Sequence, residues 1–377
     1  MKIHFKELWN NWYFQDALVM LLMFIVGFIV WKLWQRQYWR EAFRTVFKRK
    51  LVVVSFVILC FYTLIALLDS VGYHPVLRDE NGFPRRDPKT GRIIYDQDGL
   101  SLLDLILTPI RTATEETYSS PLATHQFTKE WMVKENNETV RDYPPLKYPR
   151  RHILGTDKIG TDVLYLALKS IRTGIIIGGV TTLLVVPLAI FFGVIAGYFG
   201  GLIDDIIQYI YTVLSSIPGV LLIMAFIIIF DRGLLQLCIA MGIVSWTGLC
   251  RVLRGETMKL REMEYVQAAE ALGISPFRII VRHIVPNVMH IVLISAVLSF
   301  SGRVMAEAAL TYIGIGVGAN TISWGVMIND ALRELARDPV VWWKLFAAFI
   351  FMVGLVLPAN IFGDALRDAL DPRLKSI

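Results

Sequence analysis

Long apolar stretches constrain this chain more than any other feature of its sequence. A helix needs about 20 mostly apolar residues to cross the ~30 Å hydrocarbon core of a bilayer. Only 19% of the 377 residues are charged and 55% are hydrophobic, whereas about a quarter of a soluble domain is charged. The sequence therefore predicts an all-α polytopic membrane protein with about seven transmembrane helices and an external mixed insertion. The predicted spans are approximately residues 17–34, 51–68, 175–199, 207–230, 234–250, 284–300 and 341–361.

The loop between the first two spans predicts the orientation of the chain in the membrane. Glu41 is its acidic residue, and basic residues dominate it. Short loops with such an excess stay in the cytoplasm. We therefore expect the N-terminus outside, the C-terminus in the cytoplasm, and the basic loop 251–283 in the cytoplasm. The basic residues of the first loop are Arg36, Arg40, Arg44, Lys48, Arg49 and Lys50.

Hydropathy also predicts the domain organisation. Residues 1–50 hold the extra N-terminal helix and the basic loop, and residues 51–69 form the next span. Residues 70–173 form an external segment that ends in a helix with one apolar face, expected on the outer membrane surface. Residues 174–377 form the core. Ile93, Ile94 and Tyr95 after a turn at Gly91 predict a β-hairpin in the external segment. Two interpretations of that segment stay open: a solvated insertion, or a docking surface for an external partner.

The loop 251–283 contains a pattern of two helices with a break between them. Gly273 suits the left-handed position just past a helix end, and Ser275 followed by Pro276 suits the start of the next helix. This pattern predicts either a helix that seats in a partner's groove or an amphipathic helix on the bilayer surface. The residues that recur at i, i+3, i+4 and i+7 on one face of the first helix are Tyr265, Ala268, Ala269 and Leu272.

These residues carry a resemblance to a known family. The run Tyr265–Gly273, with its Ala-Ala pair, resembles the coupling motif of ATP-binding-cassette importer permeases, in particular the dipeptide and oligopeptide branch. Three further segments are similar to that branch and follow in its order: His152–Leu164, Glu307–Met327 and Gly363–Arg373. Together they extend over somewhat more than half of the chain.

The resemblance implies a permease subunit in the bacterial inner membrane. Its partners would be a second homologous permease, two cytoplasmic ATPase subunits that use ATP and Mg²⁺, and an external substrate-binding protein, with no nucleic acid. The chain itself would bind no cofactor or metal and catalyse no reaction. By match, the ATPase-docking residues are Tyr265, Gln267, Ala268, Ala269, Leu272 and Gly273.

Two positions depart from the family pattern. Gln267 stands where the wider family usually has Glu, and Thr161 stands where the peptide branch commonly has Arg. An acidic contact with the ATPase would then have to come from Glu264 or Glu270.

Other chemistry has weaker support in the sequence. No phosphate-binding G-x-x-x-x-G-K-[ST] motif is present, so ATP must be bound by another subunit. Arg303 and Glu307, four residues apart near the outer end of the sixth span, either pair with each other or line the translocation pathway. The alternatives to a peptide importer are a secondary transporter driven by an ion gradient, a membrane enzyme, and a family member that carries a nickel chelate or a sugar.

Overall fold

The chain is described by a computed structural model that covers residues 12–35, 37–77, 84, 99–133, 139–318 and 321–370. The described residues are mostly helical, and two short antiparallel strand pairs accompany the helices. The predicted β-hairpin near Gly91 and the last residues of the Gly363–Arg373 segment lie outside this part of the chain. The helices are α1 Trp12–Trp34, α2 Gln37–Val46, α3 Lys50–Ser70, α4 Leu102–Ile106, α5 Thr108–Arg111, α6 Val163–Phe199, α7 Gly201–Ser216, α8 Gly219–Phe230, α9 Leu234–Arg261, α10 Glu264–Ala271, α11 Pro276–Ile279, α12 Val285–Tyr312, α13 Trp324–Leu335 and α14 Trp343–Leu370.

Five of the described helical segments are long and apolar enough to cross a membrane. They are α3, α6, α9, the run Pro276–Tyr312 and α14. The number rises to six if α7 and α8 form one span with an 87° bend. The all-α polytopic class is confirmed, whereas the count of seven is not. The predicted first span forms α1, which is not among the five.

Several helix boundaries differ from the predicted spans. Helix α9 continues to Arg261, so the first eleven residues of the predicted loop 251–283 are helical. Helix α6 begins at Val163 and runs without a break to Phe199, so the apolar face expected on a separate surface helix belongs to its first turns. The Asp162 carboxylate accepts the backbone N–H of Leu164 at 2.8 Å and caps that start.

Pro218 explains the break between α7 and α8. A proline disfavours helical backbone in the residue before it, and Ile217 is extended, with φ −94° and ψ 132°. The sequence pattern predicted one continuous span over 207–230, and the structure divides it at this point.

The described residues divide into two compact units. One draws on the ranges Met1–Met23, Phe61–Thr173 and Ile322–Met352, and the other on Phe24–Cys60, Gly174–Thr321 and Val353–Ile377. The first unit contains both strand pairs, β1 Gly72–Tyr73 with β2 Leu100–Ser101, and β3 Glu130–Val133 with β4 Thr139–Asp142.

Close helix packing gives the second unit its core. A Cβ added to Gly193 would lie 2.7 Å from the Cys250 carbonyl oxygen, and one added to Gly197 would lie 2.6 Å from that of Arg254. These glycines let α6 approach the α9 backbone, as small residues do between membrane helices. Trp246, Leu253 and residues of α10, α11 and α12 complete this apolar cluster.

Candidate functional site

The break predicted after the first loop helix is present. Helix α10 ends in a Schellman motif: Ile274 N–H donates to the Ala269 carbonyl at 3.1 Å, and Gly273 N–H to that of Glu270 at 2.9 Å. Gly273 has φ +75°, the left-handed conformation that its type predicted. Ser275 precedes Pro276 at the start of α11, also as predicted. The loop is therefore a helix, a sharp bend and a second helix.

A widened turn connects this second helix to the following span. Residues Ile280–Ile284 form a π-helical turn between α11 and α12. It ends two residues before Pro286, which has no N–H to donate to the preceding turn. The chain thus passes from the loop into α12 through irregular helix, a feature often found at functional sites.

The structure divides the predicted docking face of α10 into an inner and an outer part. Ala268 and Tyr265 are exposed, and Leu272 is 80% exposed. Ala269 is only 5% exposed and packs with the fully buried Val266 in the core of the second unit. The expectation that Ala269 lies on the same open face as Ala268 is therefore wrong, because the core uses the small Ala269 side chain for close packing.

Polar contacts hold α10 against the helix ends behind it. The Tyr198 hydroxyl at the end of α6 donates to the Glu270 carboxylate at 2.8 Å. The Arg261 guanidinium at the end of α9 donates to the Tyr198 carbonyl at 3.1 Å. On the α11–α12 side, the Asn287 amide donates to the Tyr265 hydroxyl at 3.2 Å. Helix α10 is thus joined to α6 and α12 by side chains that the motif did not single out.

A partly buried ion pair lies in the same unit. Asp204, in the first turn of α7, accepts from both Nε and Nη2 of Arg254 at 2.5 and 2.6 Å. Asp204 follows Gly200 and Gly201 closely in the sequence, and it is 7% exposed. No local sequence signal connects these two residues, because 50 positions separate them.

Gln267, which stands where the wider family usually has Glu, lies on the surface of α10. Gln267 is exposed, and its amide donates to the Glu262 carbonyl at 3.3 Å. Both acids that could replace the family glutamate, Glu264 and Glu270, are exposed. Glu270 accepts the Tyr198 hydrogen bond, and Glu264 lies in the first turn of α10.

Arg303 and Glu307 are both buried, at 7% and 1% exposure. Arg303 Nη1 donates to the Thr182 hydroxyl at 2.6 Å, and Glu307 accepts from the Thr311 hydroxyl at 2.9 Å. These bonds run to different neighbours. Arg303 also lines a cavity of about 270 Å³, and Glu307 is not among the residues that line it.

Comparison with known proteins agrees with this architecture. Residues 189–376 match the family model for the binding-protein-dependent transport system inner membrane component. Residues 37–81 match the N-terminal TM domain of oligopeptide transport permease C. The oligopeptide transport system permease protein OppC of Bacillus subtilis is 36% identical over 62% of this chain and 75% of its own length. The chain belongs to the family of binding-protein-dependent transport system inner membrane components.

Further relatives extend the match along the permease. The dipeptide permease DppC of Bacillus subtilis is 32% identical over 64% of this chain and 74% of its own length. DppC of Alkalihalophilus pseudofirmus is 30% identical over 90% of this chain and 91% of its own length. Among solved structures, a chain of the MetNI methionine ABC transporter covers 55% of this chain and 98% of itself, with TM-score 0.44 and 15% identity.

The family models and the OppC and DppC relatives confirm the resemblance that the motifs carried and widen it. The permease is a multi-pass protein of the inner membrane, and its family works with a binding protein. The match at residues 37–81 brings α2 and α3 into the family pattern, which the motifs had traced only from His152 onward.

Proposed function

We propose that this permease is one transmembrane subunit of an ATP-driven importer of dipeptides or oligopeptides. The relatives named above are oligopeptide and dipeptide permeases, which favours peptides over a nickel chelate or a sugar. Its partners are a second homologous permease, two ATP-binding-cassette ATPase subunits in the cytoplasm, and an external substrate-binding protein. ATP and Mg²⁺ are used by the ATPase subunits, and this chain binds no cofactor.

The arrangement of α10 is the observation that supports this proposal most directly. The outer face of the helix presents Ala268 and Leu272, while Val266 and Ala269 fix its inner face in the core. A helix that is exposed on one side and packed on the other can be displaced by a partner and can transmit that displacement to the membrane spans. Residues Tyr265, Gln267 and Gly273 complete the docking segment.

The proposed mechanism is a change of access driven from outside this chain. ATP binding closes the ATPase pair, α10 moves with it, and the spans switch from an outward to an inward opening. The contacts of Tyr198 with Glu270 and Arg261 couple α10 to α6 and α9 during that motion.

The mechanism requires the loop 251–283 to face the cytoplasm, together with the C-terminus, while the N-terminus faces outward. The exposed basic side chains of the loop, which include Arg251, Arg278 and Arg282, support that orientation.

Adjacent alanines provide a matched crosslinking test. Ala268→Cys and Ala269→Cys are made after the exposed Cys60 is replaced by Ser, with the buried Cys238 and Cys250 retained. We expect Ala268→Cys to crosslink to an ATPase subunit in the assembled importer, and Ala269→Cys to give far less product because its side chain is buried. Labelling of Ala268→Cys by a membrane-impermeant thiol reagent added outside intact cells would contradict the proposal.

A further inference from the structure

A cavity in the second unit contains one charged side chain. It lies among α6, α9 and α12, and its volume is about 270 Å³. Ser245 and Gly248 line it from α9, and Ser295, Ser299 and Arg303 from α12. The α12 residues recur at four-residue spacing, so they lie on one face of that helix. The cavity thus combines apolar walls with hydroxyl groups and one guanidinium.

The guanidinium of Arg303 is incompletely satisfied. The residue is 7% exposed, and one of its nitrogens, Nη1, donates a hydrogen bond to the Thr182 hydroxyl. Its Nε is buried without a hydrogen-bond partner among the described residues. That nitrogen has almost no accessible surface, so a ligand in the cavity would compensate the charge of the guanidinium as a whole rather than bind Nε. A buried charge is unfavourable unless an opposite charge or hydrogen-bond acceptors lie near it. Because Arg303 lines the cavity, an anionic ligand there would supply that opposite charge.

We infer that this cavity binds the terminal carboxylate of the transported peptide, an inference that rests on the proposed function. A guanidinium recognises a carboxylate through charge-assisted hydrogen bonds, and the hydroxyls of Ser295 and Ser299 supply further donors. The cavity is slightly smaller than the ~300–1,000 Å³ pockets that bury drug-sized ligands. It therefore suits one end of a peptide, and binding at one end lets peptides of different side chains and lengths pass.

An inorganic anion shares this chemistry with the peptide terminus. Phosphate would also satisfy the Arg303 guanidinium. The two anions differ in what else contacts the cavity. A peptide carboxylate brings the rest of the peptide against the cavity wall, whereas phosphate binds alone. Competition between the two distinguishes them.

The test measures equilibrium binding to the complete permease–ATPase complex in nanodiscs, without the external binding protein. The probes are radiolabelled Ala-Ala and its C-terminal amide, which lacks the carboxylate. For the wild type, we expect Ala-Ala to bind on the order of tenfold more tightly than the amide, the fold-change typical of one charge-assisted hydrogen bond. Arg303→Gln should abolish that preference, and Arg303→Lys should restore part of it.

Arg251→Gln provides a matched control, because it removes an exposed arginine from α9 that does not line the cavity. We expect it to keep the full preference for Ala-Ala. If Arg303→Gln does not assemble, Ser299→Ala replaces it and should lower the preference severalfold.

Three results would overturn the inference: an unchanged preference in the assembled Arg303→Gln complex, an unchanged preference in Ser299→Ala, or displacement of Ala-Ala by an equal concentration of inorganic phosphate. Failure of the proposed function looks different. In that case, cells with the wild-type importer and its binding protein take up neither Ala-Ala nor its amide.

Discussion

Helix α10 and the surroundings of Lys169 differ in whether their side chains find partners within the chain. On α10, Val266 and Ala269 are buried, while the outward Ala268 and Leu272 are exposed. At Lys169, the ammonium group lies 2.8 Å from an Asp69 oxygen and 2.9 Å from an Asp104 oxygen. One region leaves apolar side chains exposed, and the other pairs its charged groups with one another.

The Lys169 surroundings form a closed polar network. Ser101 donates its backbone N–H to Asp104 at 2.9 Å and its hydroxyl to Asp69 at 2.8 Å, and Tyr165 donates its hydroxyl to Asp104 at 2.8 Å. Burial raises the pKa of Asp104, but the Ser101 N–H and the Lys169 ammonium outweigh it, so the pKa lies below its ordinary value. Asp104 is therefore ionised at neutral pH, and its charge is matched by that of Lys169.

The comparison teaches where function is expected. A network whose donors and acceptors satisfy one another stabilises the fold and offers little to a ligand. A helix with an open apolar outer face, held from behind, is suited to a partner. Substitutions in the Lys169 network should therefore act on stability, and substitutions in α10 should act on uptake.

Lys169→Met is expected to have the largest effect on stability. It leaves two carboxylates, each about 2% exposed, beside each other without a cation. Loss of one partner from a buried ion pair costs about 3–5 kcal/mol. The midpoint of thermal unfolding of the complex purified in detergent should fall, and less protein should accumulate in the membrane.

Lys259→Met is the matched control for that substitution. Lys259 pairs with Glu256 at 3.2 Å, but its side chain is 69% exposed. Exposed pairs contribute about 0–1 kcal/mol, so the unfolding midpoint should stay close to that of the wild type. Equal unfolding midpoints for Lys169→Met and Lys259→Met would contradict the claim that the Lys169 network stabilises the fold.

Gly273→Val is expected to abolish uptake with a smaller loss of stability. No atom lies within 4 Å of a Cβ added at Gly273, so its φ of +75° is the source of the cost. That conformation costs about 1–2 kcal/mol for a residue with a side chain, and relaxation would turn the docking face of α10. Peptide uptake and membrane abundance, measured in the same cells, separate the two effects.

Gly273→Asn should retain most of the uptake, because asparagine tolerates the left-handed conformation. Gly255→Ala adds a methyl group at another open position without a positive φ, and uptake should be normal. Normal uptake by Gly273→Val itself would count against a mechanical role for the bend.

Tyr198→Phe is expected to have the smallest effect. It removes the hydrogen bond to Glu270, which contributes about 1 kcal/mol. We expect uptake to fall severalfold at unchanged abundance, because α10 is held less firmly against α6. Tyr209→Phe, at a 72% exposed tyrosine of α7, is the control. If both variants transport equally well, the Tyr198 contact has no part in coupling.

Local sequence chemistry predicted much of the loop. Gly273 and the Ser275–Pro276 pair specify a helix end and a helix start through backbone conformation alone, and the structure has both. The side of α10 that faces the core could not be predicted in the same way. On a helix of eight residues, Val266 and Ala268 present apolar side chains in different directions, so periodicity alone does not select the buried side.

The sequence by itself determined that this protein is a helical membrane protein, because apolar spans and helix ends depend on residues close together in the chain, and its motifs carried the resemblance to the permease family. Only the tertiary structure decided that Ala269 turns inward, that Asp204 meets Arg254, and that Lys169 meets Asp104. These pairs are 50 and 65 residues apart. Contacts at that separation depend on helix packing, which no local pattern of residues encodes.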